Sequence, residues 1–357
     1  MDVLNRSIGT RIKLDVKLLA VEAYQFQMAL MPELKGYSTP AFVEKSIQDT
    51  EYTILYLSNA ISVSSPKLFE NYVEWFIALM ESISLPVKYL KGSIEAIFEV
   101  IKSHYNQDYI EHIEHYIMVA LQIFEREKHV AYTSQASEHL LKPFRDQYID
   151  YLLQGNRNKA NELVQGLISS DVAISDIYME IFHESQREIG RLWQTNKITI
   201  AEEHYCTAAT QLIMGQLYPL IFATPKSDLV FVGACVGGEL HELGVRMVSD
   251  FLELSGWNTY YLGANTPMKS IVETIVKERA NIIGISVTMS FHIDETIRLI
   301  EMIRSDVRCN SVKILVGGYP FLIEKTLWKT IGADGCAQNA REAVMIAERL
   351  VTEVTHD

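Results

Sequence analysis

The residues best suited to chemistry stand in the last third of the chain, each group closing an apolar run. Leu229–Val236 ends in Gly237-Gly238 and leads into Glu239-Leu240-His241-Glu242-Leu243-Gly244. Forty-one residues (245–285) separate Gly244 from Ser286-Val287-Thr288, which follows the run 282–285. Another 28 (289–316) separate Thr288 from Gly317-Gly318, which follows the run 313–316. A histidine two residues from a carboxylate is suited to ligand chemistry. The carboxylate can hold one ring nitrogen and fix the tautomer, which leaves the other nitrogen free to bind. The glycines are places where another group can come close to the backbone. A lone Glu-x-His-x-x-Gly would fit equally well a flavodoxin-like domain in which His241 only starts a helix.

The three groups and both long spacings together resemble the cobalamin-binding domain that holds its cofactor base-off, with a histidine below the cobalt. The resemblance covers residues 228–357, and Ala333-Asp334-Gly335-Cys336 is similar to that family's last strand-end turn. It implies that His241 is the metal ligand and Glu239 its hydrogen-bond acceptor. It also implies that Gly244 lets the corrin edge approach, that Ser286 hydrogen-bonds the nucleotide tail, that Thr288 belongs to the same cofactor-binding motif, and that Gly317-Gly318 leave room for that tail. Glu239 departs from the commoner aspartate, and its longer arm is compatible with the same role.

Positioning these residues requires strands that alternate with helices. Buried apolar runs separated by helical stretches at 241–255, 267–279, 292–306 and 323–331 predict a Rossmann-like or flavodoxin-like parallel sheet covered on both faces. Ligands in such folds bind at the carboxyl ends of the strands. Before residue 224 the chain reads as helix. Thr39-Pro40 and Ser65-Pro66 place capping hydroxyls before a proline at the first helical position. Pro86 divides helices at 65–83 and 87–105, and another follows at 107–127. Residues 130–137 form a polar connection. Stretches at 137–154, 156–169, 171–193 and 199–222, joined by short turns, predict an up-and-down four-helix bundle. Thr-Pro-Lys-Ser-Asp at 224–228 is the clearest linker. The expected division is therefore an all-helical domain at 1–130, a four-helix cap at 137–223 and an α/β domain at 228–357.

The cap carries its own signal. Thr199 followed by Glu202 is a capping box, so Trp193, at the end of one helix, is expected near Glu203 and His204 in the first turns of the next. This spacing is similar to the signature of adenosylcobalamin photoreceptors of the CarH type, in which these residue types contact the adenosyl group. Gln194 stands where that family has a histidine able to capture cobalt after photolysis. The other reading makes Trp193 bundle core and His204 a surface residue. The N-terminal helices carry Leu68, Phe69, Tyr72, Trp75, Phe76 and Leu79 on one face, followed by His104, Tyr105, His112, His115 and Tyr116. They are read as a sensor or dimerisation domain with an aromatic core. The overall layout also resembles the photocobilins, whose globin-like N-terminal domain holds a bilin. No cysteine precedes Cys206, so biliverdin in such a domain would be held non-covalently.

Composition narrows the classes. The 357 residues include 45 Asp and Glu against 32 Lys and Arg, a net charge of −13, which argues against a nucleic-acid surface. No apolar run has the length of a membrane span, and the N-terminus lacks a signal-peptide core. Four cysteines without CxxC spacing point to a reducing cytoplasm. No nucleophile–base pair marks an ordinary hydrolase or transferase. The leading expectation is a non-enzymatic light sensor. It would bind adenosylcobalamin, with biliverdin as a second chromophore, form a dimer or tetramer and signal to a protein effector. A corrinoid methyl carrier of a methyltransferase system and a cobalamin-dependent interaction regulator are the alternatives.

Overall fold

The computed structural model describes residues 2–37, 39–126 and 140–353, which fall into two compact units. The expected connection at 130–137 lies outside the described residues. The first unit contains residues 1–130 and also the segments 287–300 and 319–332, which sequence reading placed in the α/β domain. Its helices are α1 (Val3–Leu30), α2 (Pro40–Ser62), α3 (Pro66–Ser82), α4 (Lys88–His104) and α5 (Gln107–Ile123), with a 3-10 turn at Pro32–Tyr37. Thr39 caps α2 as expected, its hydroxyl accepting from the Phe42 amide at 3.2 Å. Ser65 does not cap α3; its hydroxyl instead donates to Glu324 at 3.4 Å. Gly9 permits the α1–α2 crossing, because a Cβ there would stand 2.3 Å from the Ser58 carbonyl oxygen.

The aromatic face of α3 is packed. Phe69 and Tyr72 are buried. Tyr72 stacks on Tyr56 of α2 at 3.9 Å and 17°, and lies 6.3 Å from Trp75. Phe291 meets Tyr56 edge-on at 5.3 Å, and the Tyr56 hydroxyl points at the Met289 sulfur at 3.7 Å. Lys13 reaches Asp294 at 3.5 Å and Glu295 at 3.4 Å. These contacts tie α1 and α2 to residues 289–295.

The second unit begins with α6 (Lys142–Leu153) and α7 (Arg157–Ser169). The stretch expected as one helix over 171–193 is instead α8 (Ile174–Asp176), a π-helical segment (Ile177–His183) and α9 (Glu184–Gln194). α10 (Ile200–Gly215) and the short α11 (Tyr218–Ile221) replace the single helix expected over 199–222. Tyr148, Tyr178, Phe182 and Ile213 share one core with Met247 and Phe251. The strands are β1 (Val230–Cys235), β2 (Asn258–Gly263), β3 (Ile282–Ser286), β4 (Lys313–Gly317) and β5 (Gly335–Ala337). All pair in parallel, in the order β2-β1-β3-β4-β5. The chain therefore reverses its direction of winding between β1 and β3, and the crevice outside the strand ends opens there. The remaining helices are α12 (Leu243–Leu254), α13 (Met268–Glu278), α14 (Ile293–Ser305), α15 (Tyr319–Ile323), α16 (Leu327–Thr330) and α17 (Ala340–Glu353). Two short helices thus replace the one expected at 323–331. Among the described residues no helix is long and apolar enough to cross a membrane.

Candidate functional site

His241 sits on the loop from β1 to α12, at the reversal point. Glu239 is fully buried, and its Oε1 accepts from His241 Nδ1 at 2.6 Å and from the His241 backbone amide at 3.0 Å. The ring is held from one side while 57% of the side chain stays exposed, so Nε2 is the nitrogen left to bind. The hydrogen bond to Glu239 raises the His241 pKa above its ordinary value. Burial opposes this, and the charges of Glu239 and Glu203 add to it. Among the described residues no group of three or more His, Cys, Asp or Glu could hold a metal ion alone. This donor set suits a cofactor that brings its own equatorial ligands and needs one axial nitrogen. Burial pushes the Cys235 thiol up to about 12, so no thiolate competes.

Register places the other strand-end residues side by side. Cys235 pairs with Ser286, Ser286 with Gly317, and Gly317 with Ala337. A Cβ on Gly244 would meet the Ser286 hydroxyl at 3.6 Å, an ordinary contact, so the chain's own packing does not demand glycine there. Gly317 differs: a Cβ would lie 3.0 Å from the Ala337 carbonyl oxygen, so its strand neighbour already requires a small residue. Gly318 is left-handed at φ 112°. Thr288 lies two residues beyond the end of β3.

Two residues of the site escaped sequence reading. Glu242 takes the Ala264 amide at 2.8 Å on one oxygen and Gln211 of α10 at 3.0 Å on the other, joining the bundle to the His241 loop. Asn265, in the turn after β2, bonds the same loop. Strand β2 was not placed from sequence, so nothing pointed to its turn.

In the cap, the Thr199–Glu202 box forms in both directions. Glu203 Oε2 meets His204 Nδ1 at 2.8 Å, and Glu203 Oε1 accepts from Thr207 at 3.0 Å. Behind Thr207 run Gln186 at 2.7 Å, then Thr210 at 3.0 Å, then Tyr148 at 3.0 Å. The structure thus brings Glu203 and His204 together and backs them with a polar chain into the core. Trp193 lies half-buried on the last turn of α9, and Gln194 is buried.

Comparison with known proteins shows the family and the fold. A family model described as "B12 binding domain" matches residues 229–347, and a second of the same description matches residues 144–218. Dimethylamine corrinoid protein 1 of Methanosarcina mazei is 35% identical over 170 residues, 46% of this chain and 76% of that protein. Dimethylamine corrinoid protein 2 of the same organism is 31% identical over 170 residues, 46% of this chain and 77% of that one. The solved monomethylamine corrinoid protein of Methanosarcina barkeri shares the fold, with TM-score 0.53 and 22% identity over 59% of this chain and 99% of that one.

Proposed function

We propose, since this chain belongs to the B12-binding corrinoid proteins, that it carries a cobalamin base-off on His241 and presents it to methyltransferase partners. The supporting observation is the Glu239–His241 pair: a fully buried carboxylate fixes Nδ1 at 2.6 Å and leaves Nε2 exposed at the strand-end crevice. When bound, the cobalt would supply the chemistry of taking up and giving up a one-carbon group. The protein's part is to hold and shield. His241 would bind the cobalt through Nε2, with Glu239 fixing its tautomer. Gly244 and Ser286 leave the crevice open to the corrin edge and tail. The cap turn of Glu203 and His204 would cover the cofactor's exposed face. On this reading the chain is a carrier that needs partner enzymes, and its similarity to proteins named dimethylamine corrinoid proteins supports it.

The test loads the protein with reduced cobalamin in the dark and supplies isotope-labelled methylamines or methanol with extract of its source. Label retained by the wild type and lost in His241→Ala supports the carrier. No retained label from any donor sinks it.

A second reading, light sensing through adenosylcobalamin, is favoured by one observation: the Glu203–His204 pair and Trp193 border the turn between α9 and α10. Illumination of the adenosylcobalamin complex should then bleach its spectrum and change its oligomeric mass. A light-stable complex ends that reading. For biliverdin the support is weaker, since the aromatic face of α3 is occupied by its own stacked rings. Absence of a far-red band on adding biliverdin would close the matter.

A further inference from the structure

We propose that Asn265 is a positioning residue for His241, an inference that rests on the lower-ligand reading above. Asn265 is one of few non-glycine residues in the left-handed region, at φ 49°, a conformation asparagine tolerates better than most side chains. Its amide donates to the Glu239 carbonyl at 2.9 Å. Its side-chain oxygen accepts the Gly238 amide at 2.8 Å. On either side, the Ala264 amide donates to the Glu242 carboxylate at 2.8 Å, and the Thr266 amide donates to the Cys235 carbonyl at 3.2 Å.

The turn after β2 therefore grips the loop after β1 at Cys235, Gly238, Glu239 and Glu242, the residues that bracket His241. Glu239 orients the imidazole, and Asn265 fixes the backbone of Glu239. Removing the Asn265 side chain leaves the Gly238 amide without its acceptor. It also loosens the one carboxylate that sets the direction of Nε2.

The experiment compares Asn265→Ala, Asn265→Gly and Asn265→Asp with wild type and His241→Ala in the full chain. Hydroxocobalamin is the probe. Two quantities are read: the dissociation constant, and, in protein labelled with nitrogen-15 histidine, the nitrogen hyperfine pattern of the reduced cobalt(II) form, in which a two-line splitting reports histidine on the metal and a three-line splitting the cofactor's own base. Asn265→Ala should bind about tenfold more weakly, at the lower end of the range for lost outer-shell partners, with part of the histidine signal gone. Asn265→Gly keeps the left-handed backbone and removes only the acceptor, so it should show the same loss even if the alanine variant folds poorly. Asn265→Asp restores an acceptor for Gly238 and should return both quantities toward wild type. Wild-type affinity and hyperfine pattern in Asn265→Gly, or an aspartate variant as impaired as the glycine one, would overturn the proposal. A wild type indistinguishable from His241→Ala would overturn the lower-ligand reading itself, and this inference with it.

Discussion

Glu239→Gln separates the charge of the buried carboxylate from its shape. In the wild type, Oε1 accepts two bonds from His241, at 2.6 Å from Nδ1 and 3.0 Å from the backbone amide. A glutamine carbonyl oxygen can accept both, so the geometry survives and only charge assistance is lost, which about halves such a bond. Loss of an outer-shell partner costs roughly 10–100-fold in metal affinity. With the hydrogen bond retained, we expect the lower end, about tenfold or ~1.4 kcal/mol, at a pH where the histidine is neutral in both proteins. The pH dependence has a definite sign. Glu239 raises the His241 pKa above 6.5, so in wild type a proton competes with cobalt at higher pH than in the variant. The ratio of dissociation constants, variant over wild type, should therefore shrink as pH falls through the wild-type pKa. In the cofactor-free protein the same raised pKa adds stability that is full below 6.5 and is lost as pH rises through the folded value. Equilibrium dialysis with hydroxocobalamin across this range gives the ratio. Equal affinities at alkaline pH, or a ratio that grows on acidification, would refute the reasoning.

Three further perturbations follow from the packing. Burial pushes Asp250 up to about 6 from 3.8, so stability falls as pH rises through that window, by about 3 kcal/mol. Asp250→Asn keeps an acceptor for Tyr178, which donates at 2.9 Å, and should flatten the slope of urea midpoint against pH; an unchanged slope would count against the assignment. A Cβ on Gly284 would stand 2.4 Å from the Phe231 ring, so Gly284→Ala should destabilise by about 1–3 kcal/mol through overpacking, and an unaltered Tm would contradict it. Thr207→Val strips the donor from Gln186 and Glu203 and should lower urea stability by about 1–3 kcal/mol, with Thr207→Ser restoring it; equal loss in both variants would show that the hydroxyl is not the cause.

The α/β domain was legible because its signals are local and redundant. Apolar runs of five or six residues could only be buried strands, and Glu239, His241 and Ser286 stand where those runs end. The capping box at Thr199 was equally direct. β2 was harder: Asn258-Thr-Tyr-Tyr-Leu-Gly is an edge strand with half-exposed residues, so it lacks a continuous apolar run, and the roles of Asn265 and its turn stayed hidden with it. The π-helical segment at Ile177–His183 keeps helical periodicity and carries no breaker to announce it. Ser65 had the right type and place for a cap, yet a partner 259 residues away takes its hydroxyl, something no local pattern encodes. The aromatic residues of α3 fit both a core and a chromophore pocket by sequence alone. Tyr56 stacks on Tyr72, and Phe291 packs on Tyr56, which supports the core reading.

The first unit is closed by chain that is made late. Residues 287–300 and 319–332 complete it, and about 200 residues separate the end of its N-terminal part from the end of the second segment. At roughly 5–20 residues per second this is a wait of about 10–40 seconds during synthesis. For most of it, Tyr56 lacks Phe291, and Lys13 lacks its two carboxylates. The helices that emerge first are thus among the last to finish folding, and they do so only after β3 has been made.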